Sequence, residues 1–163
     1  MRKGLGGHHR GFRGVTNEWL TPPDLVEQLG PFDLDPCASA DQPWRTAKHQ
    51  FAENGLSRPW KGFVWCNPPY GPETKDWLKK LSDHGSGIAL IFARTETKMF
   101  FDYIWTQADC LYFLEGRLHF HDSSGKRMSA NAGAPSVLIG YGQEAIERLE
   151  RDCFAYPGKL IFP

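Results

Sequence analysis

The sequence predicts a single α/β domain on a largely parallel sheet, ending in an antiparallel pair of strands toward its C-terminus. Three observations predict it. With 163 residues, 40% of them hydrophobic, the chain can bury one sizeable core but hardly two. Two uninterrupted apolar runs, residues 63–66 and 87–93, flank a stretch of helical spacing, the pattern of strands buried on both faces and joined by a crossover helix. From Arg117 the pattern changes to short apolar segments separated by polar turns, as antiparallel neighbours require.

The elements follow in order. Thr21 before Pro22, Pro23 and Asp24 predicts a helix N-cap with prolines in the first turn, and Gly30 its stop, giving a helix over 22–29. Phe32-Asp33-Leu34-Asp35 alternates and ends at Pro36, which puts Asp35 at the C-terminal end of a strand. Residues 37–62 are polar and irregular, with a candidate strand near 47–51 and a loop, Glu53-Asn54-Gly55-Leu56, before Trp60. The strand 63–66 is stopped by Asn67-Pro68-Pro69-Tyr70-Gly71. Trp77, Leu78 and Leu81 space a helix over 74–83, and strand 87–93 completes a βαβ unit. Met99, Phe100, Tyr103 and Ile104 space a helix over 98–108, followed by a strand over 110–114. Trp77, Phe100 and Tyr103 read as a core stripe. Strands 118–120 and 136–141, joined by a long loop, form the expected antiparallel pair; a helix over 143–151 and an apolar segment at 159–162 close the chain.

Composition excludes several classes. Charged residues at 23% and aromatic residues at 13% fit neither a disordered chain nor a membrane protein. No apolar run approaches the roughly 20 residues of a spanning helix, and the start lacks the apolar core of a leader, so the expected location is the cytoplasm. Cys37, Cys66, Cys110 and Cys153 are widely spaced, which predicts free thiols and no metal; His119 and His121 share a strand face without a third ligand. The 19 Lys and Arg balance 19 Asp and Glu, but Arg2, Lys3, Arg10 and Arg13 fall in residues 1–14, where there is no acid. That segment carries +4 and residues 15–163 carry −4. We read 1–14, with five glycines, as a flexible basic arm able to hold phosphates, and 15–163 as one domain. A solvated start without a partner is the alternative.

In an open α/β sheet, ligands bind beyond the C-terminal ends of the strands. Asp35-Pro36-Cys37-Ala38, Asn67-Pro68-Pro69-Tyr70 and Ala93-Arg94-Thr95 collect there. Two prolines fix two φ angles and hold the preceding residue extended, so the Asn67 amide and the Pro68 carbonyl are presented together with the Tyr70 ring beside them. Two acceptors and a ring face suit a planar aromatic amine. An ordinary turn after a buried strand is the structural alternative.

The chain resembles the small phage-type DNA N6-adenine methyltransferases, the Dam-like family, over about residues 17–141. The matching residues are Glu18 to Pro22, Asp33 to Ser39, Asn54-Gly55-Leu56 with Trp60, Asn67 to Gly71, Ala93 to Thr97, and Gly116 to Phe120. The resemblance implies a Rossmann-like sheet, S-adenosylmethionine as methyl donor, DNA as substrate and, for a phage-encoded protein, the host cytoplasm as location. Carried over residue by residue, it implies Asn67, Pro68 and Tyr70 as the catalytic set. For the cofactor it implies Trp19, Thr21 and Pro22 near the methionine end, Asp35, Pro36 and Ala38 at the first strand's exit, Asn54 and Leu56 near the adenine, and Asn67. The Gly-x-Gly turn common after the first strand of methyltransferases is absent, replaced by Pro36-Cys37-Ala38-Ser39.

Adenine N6 is a poor nucleophile because its lone pair is delocalised into the ring. Accepting its two hydrogens in a fixed geometry returns density to nitrogen for in-line attack on a methyl sulfonium. The same tetrapeptide also suits N4-cytosine, protein-glutamine or RNA methylation, and a catalytically silent DNA-binding relative is a further alternative; the several ordered matches favour adenine. With no separate recognition domain, DNA contacts are expected from Arg10 and Arg13 in the arm, from Arg94, and from Arg117, Lys126, Arg127 and Asn131 in the loop 117–135.

Overall fold

The computed structural model describes residues 19–151 and 154–163. Its central strands alternate side chains between two apolar layers, which is why their sequences carry no polar gaps. In β3 (Val64–Cys66) the Trp65 ring joins the layer of Leu25 and Leu29, while Val64 and Cys66 join the layer of Leu78 and Leu81. In β4 (Gly87–Phe92), Ile88 and Leu90 face the first layer, Ala89 and Ile91 the second. Helices α1 (Pro23–Leu29) and α4 (Gln143–Leu149) cover one face. The other is covered by α2 (Thr74–His84) and by α3 (Lys98–Phe100), which continues as a π-helical turn over Phe101–Trp105. Each fully buried Leu contributes about 1.5–3 kcal/mol. The buried Arg148 of α4 donates to the carbonyls of Leu29 and Pro31, which ties α4 to the end of α1.

One mixed sheet of seven strands runs in the order β2-β1-β3-β4-β6-β5-β7. The remaining strands are β1 (Leu34–Asp35), β2 (His49–Gln50), β5 (Cys110–Leu114), β6 (Ser136–Tyr141) and β7 (Gly158–Ile161). β2, β1, β3 and β4 pair in parallel; β6 is antiparallel to both its neighbours, β4 and β5, and β7 is antiparallel to β5. The chain passes from β1 to β2 on one side, then crosses to β3 on the other. The loops leaving β1 and β3 therefore part at their C-terminal ends, and a crevice opens there.

Three local expectations are corrected. Residues 118–120 form no strand and do not pair with 136–141, because β6 already uses both its edges on β4 and β5. Their alternation instead buries Leu118 and Phe120 under the sheet, and His121 bridges to Leu20 and Arg127. The helix expected over 98–108 keeps α geometry only as far as Phe100. The Phe101 and Asp102 carbonyls take the Thr106 hydroxyl, that of Asp102 also the Gln107 amide, and that of Tyr103 the Tyr141 hydroxyl. Such competing donors suit a π turn. Finally, Thr21 does not cap α1: Pro22 holds the N-cap position with no side-chain bond. Among the described residues no helix is long and apolar enough to cross a membrane. The arm 1–14, with Arg10 and Arg13, and Cys153 lie outside the described residues.

Candidate active site

A cavity of about 420 Å³ lies where β1 and β3 diverge, within the size range of small-molecule sites. Trp19, Thr21, Asp35, Pro36, Ala38, Asn54, Leu56, Asn67, Pro68 and Tyr70 all line it. Pro22 does not: it is the N-cap of α1, and its carbonyl accepts from the Leu25 N–H.

Asn67 follows β3 directly. Its Nδ2 donates to the Trp19 carbonyl at 2.9 Å and to Thr21 Oγ1 at 3.1 Å. A carbonyl can only accept, so the amide has one chemically sensible orientation. The opposite atom, Oδ1, is buried and has no partner among the described residues. The turn beyond is pinned by Thr74, whose hydroxyl donates to the Pro69 carbonyl at 2.7 Å and accepts from the Gly71 N–H at 3.0 Å. Tyr70 stacks on Phe92 with centroids 4.3 Å apart and planes 13° from parallel. Its hydroxyl points to the Leu90 carbonyl at 3.5 Å, and burial pushes the phenol well up, so it stays protonated.

Asp35 is 3% exposed and accepts from the Thr46 hydroxyl and, at 3.1 Å, from the Cys37 N–H. Burial outweighs both bonds and pushes its pKa up to about 6. The Cys37 thiol donates to the Asn67 carbonyl at 3.3 Å and lies 3.8 Å from Cys66 Sγ. Burial holds the Cys37 thiol well up, which makes it a poor nucleophile. Cys37, Cys66 and Cys110 are free thiols.

The glycine missing after β1 is supplied by another loop. A Cβ on Gly55 would fall 1.8 Å from the Pro36 carbonyl, so the loop after the left-handed Asn54 (φ 58°) packs straight onto the exit of β1. Only glycine permits that approach. Trp77, read from the sequence as core, also lines the cavity, and its indole Nε1 is buried without a partner among the described residues. Thr46, which bonds Asp35, and Phe92, which backs Tyr70, gave no sequence signal: one sits in an irregular polar region, the other ends an apolar strand.

A second cavity of about 590 Å³ shares Tyr70 with the first and is lined by Phe92, Met99, Lys75 and Arg94. The Lys75 and Arg94 side chains are exposed and, among the described residues, make no ion pair. Arg117 Nη1 donates to the Ala132 carbonyl at 3.1 Å and closes the loop 117–132, whereas Lys126, Arg127 and Asn131 are exposed on it. The same segment reaches the first cavity's rim, where Phe120 meets Trp19 edge to face at 5.8 Å. No group of three potential metal ligands occurs among the described residues.

The fold and the site define a class: an α/β domain with a cavity at the point where its sheet order reverses, lined by an oriented amide whose oxygen has no partner among the described residues. The family model for DNA N-6-adenine-methyltransferase (Dam) matches residues 12–149, and the chain belongs to that family. No curated protein and no solved structure matches it.

Proposed function

We propose that the chain is a site-specific DNA methyltransferase that transfers the methyl group of S-adenosylmethionine to N6 of adenine, on a sheet of Rossmann-like type. The free, buried Oδ1 of Asn67 carries this reading. An acceptor oriented by two bonds on its own amide, and without a partner among the described residues, is matched by an amine N–H.

The residues present fit the cofactor: the cavity has the required size, Gly55 lets its loop pack against the exit of β1 at the cavity, and Asp35 offers a carboxylate to a cationic or hydroxyl-bearing group. When bound, the cofactor supplies an electrophilic methyl on a sulfonium with a good leaving group. The chain supplies orientation. Asn67 Oδ1 and the Pro68 carbonyl accept the two N6 hydrogens and localise the nitrogen lone pair. The Tyr70 ring, held flat by Phe92, offers a stacking face worth about 1–3 kcal/mol per base. That helps offset the few kcal/mol of drawing the adenine out of a duplex.

The DNA strand reaches Tyr70 through the second cavity, with Lys75 and Arg94 on its phosphates. Arg10 and Arg13 of the arm add affinity without sequence preference, and Lys126, Arg127 and Asn131 read base edges. Arg117, spent partly on Ala132, shapes the reading loop. Transfer of label from S-adenosylmethionine to DNA, followed by identification of the modified base, tests the whole reading. N6-methyladenine is expected; N4-methylcytosine, or no transfer, contradicts it.

A further inference from the structure

Six buried side-chain polar atoms lack a partner among the described residues, and two of them belong to residues lining the first cavity: Asn67 Oδ1 and Trp77 Nε1. Asn67 has a role in the chemistry proposed above; Trp77 has none. Trp77 projects from α2, is 8% exposed, and lies beside Trp60 with centroids 6.2 Å apart and planes 25° from parallel. The two indoles differ in one respect. Trp60 Nε1 donates to the Gly55 carbonyl at 2.8 Å, while Trp77 Nε1 donates to nothing.

Buried N–H groups are almost always paired, so an orphaned donor on a residue that lines a cavity calls for an acceptor from the ligand. The surroundings narrow its kind. The Trp77 ring edge lies 2.9 Å from where a Cβ on Gly55 would stand, and the Leu56 side chain packs into the same apolar cluster. A carboxylate or sugar hydroxyls would lose hydration against such a wall. A flat, weakly polar ring bearing an acceptor nitrogen would not.

We infer that the indole N–H of Trp77 is a cofactor-binding group that donates to a ring nitrogen of the cofactor's adenine and so selects a purine with an acceptor at that edge. The inference rests on S-adenosylmethionine being the cofactor. It adds a recognition contact, not a catalytic one, and requires no change at Asn67.

The test is calorimetric binding of S-adenosylhomocysteine and its 1-deaza, 3-deaza and 7-deaza analogues, each lacking one ring acceptor, to the full chain and to Trp77→Phe. For the wild-type chain, one analogue is expected to bind about fivefold more weakly than the parent, the scale of one hydrogen bond. Trp77→Phe is expected to lose a similar factor for the parent and nothing further for that analogue. Equal loss for the parent and all three analogues means the ring acts by packing alone, and the inference falls. Benzothienylalanine at position 77, which keeps the bicyclic shape without the N–H, carries the same comparison should phenylalanine unfold the chain. If the wild-type chain binds no S-adenosylhomocysteine, the cofactor reading fails and this inference with it. Binding that is indifferent to position 77 overturns the inference alone.

Discussion

The Thr21 hydroxyl lies 3.1 Å from Asn67 Nδ2, so a residue placed to cap a helix instead fixes the amide of the residue after β3. With the Trp19 carbonyl it uses both amide hydrogens, and the buried Oδ1 has no partner among the described residues. The geometry needed for methyl transfer is thus set by the segment before α1, 46 residues away in sequence.

Thr21→Val keeps the shape of this contact and removes the acceptor. The Asn67 amide then rests on Trp19 alone, and the transfer step should slow about tenfold, as imperfect positioning does. Single-turnover kinetics measure it. An unchanged rate would show that Trp19 suffices to orient the amide.

Tyr70 is expected to work through its ring. Tyr70→Phe loses only a long contact to Leu90 and should be nearly neutral, while Tyr70→Ala should be severe. Phe92→Ala should fall between them, because Phe92 holds the ring from behind at 4.3 Å. Transfer rates of the three variants should follow that order.

Asp35 gives the protein two opposed pH dependences. Its pKa rises from 3.8 to about 6 on folding, so between these values the folded state holds more protons than the unfolded state. Stability is therefore highest below the lower value and falls as pH rises through about 6, by about 3 kcal/mol in all. Denaturant midpoints from pH 4 to 7 should show this fall, and Asp35→Asn should flatten it. If the ionised carboxylate meets a cationic group of the cofactor, affinity for S-adenosylhomocysteine should rise over the same range. Affinity independent of pH, and unchanged in Asp35→Asn, would remove Asp35 from the site.

Contacts to phosphate and to bases should separate. Lys75→Ala and Arg94→Ala should weaken DNA binding on all sequences and each flatten the salt dependence by about one charge. Deleting residues 1–14 should act alike and more strongly. Arg127→Ala with Asn131→Ala should alter which sites are methylated. Methylation mapping on random-sequence DNA distinguishes these effects; a changed recognition sequence on removing the arm, with none from the loop pair, would reverse the roles.

The parallel strands and most of the cavity wall were legible because both rest on local rules. Apolar runs marked β3 and β4, and prolines marked the exits at Asp35 and Asn67. What the sequence hid depends on long-range competition. Residues 118–120 alternate like a strand, yet β6 has no free edge for them. Thr21 resembles a cap, but an amide from β3 claims its hydroxyl. Trp77 carries core spacing, yet it also lines the cavity, where the loop at Gly55 packs between its ring and Pro36. A single sequence holds no sign of such neighbours.

The central claim is that Asn67 Oδ1 receives a hydrogen of the target amine. The most direct measurement is the rate of label transfer from S-adenosylmethionine to adenine in DNA by Asn67→Ala, alongside its affinity for S-adenosylhomocysteine. The account predicts a rate lower by about 100-fold or more, the scale of losing one preorganised dipole, with cofactor affinity nearly kept. Transfer at the wild-type rate by a variant that still binds the cofactor would contradict it.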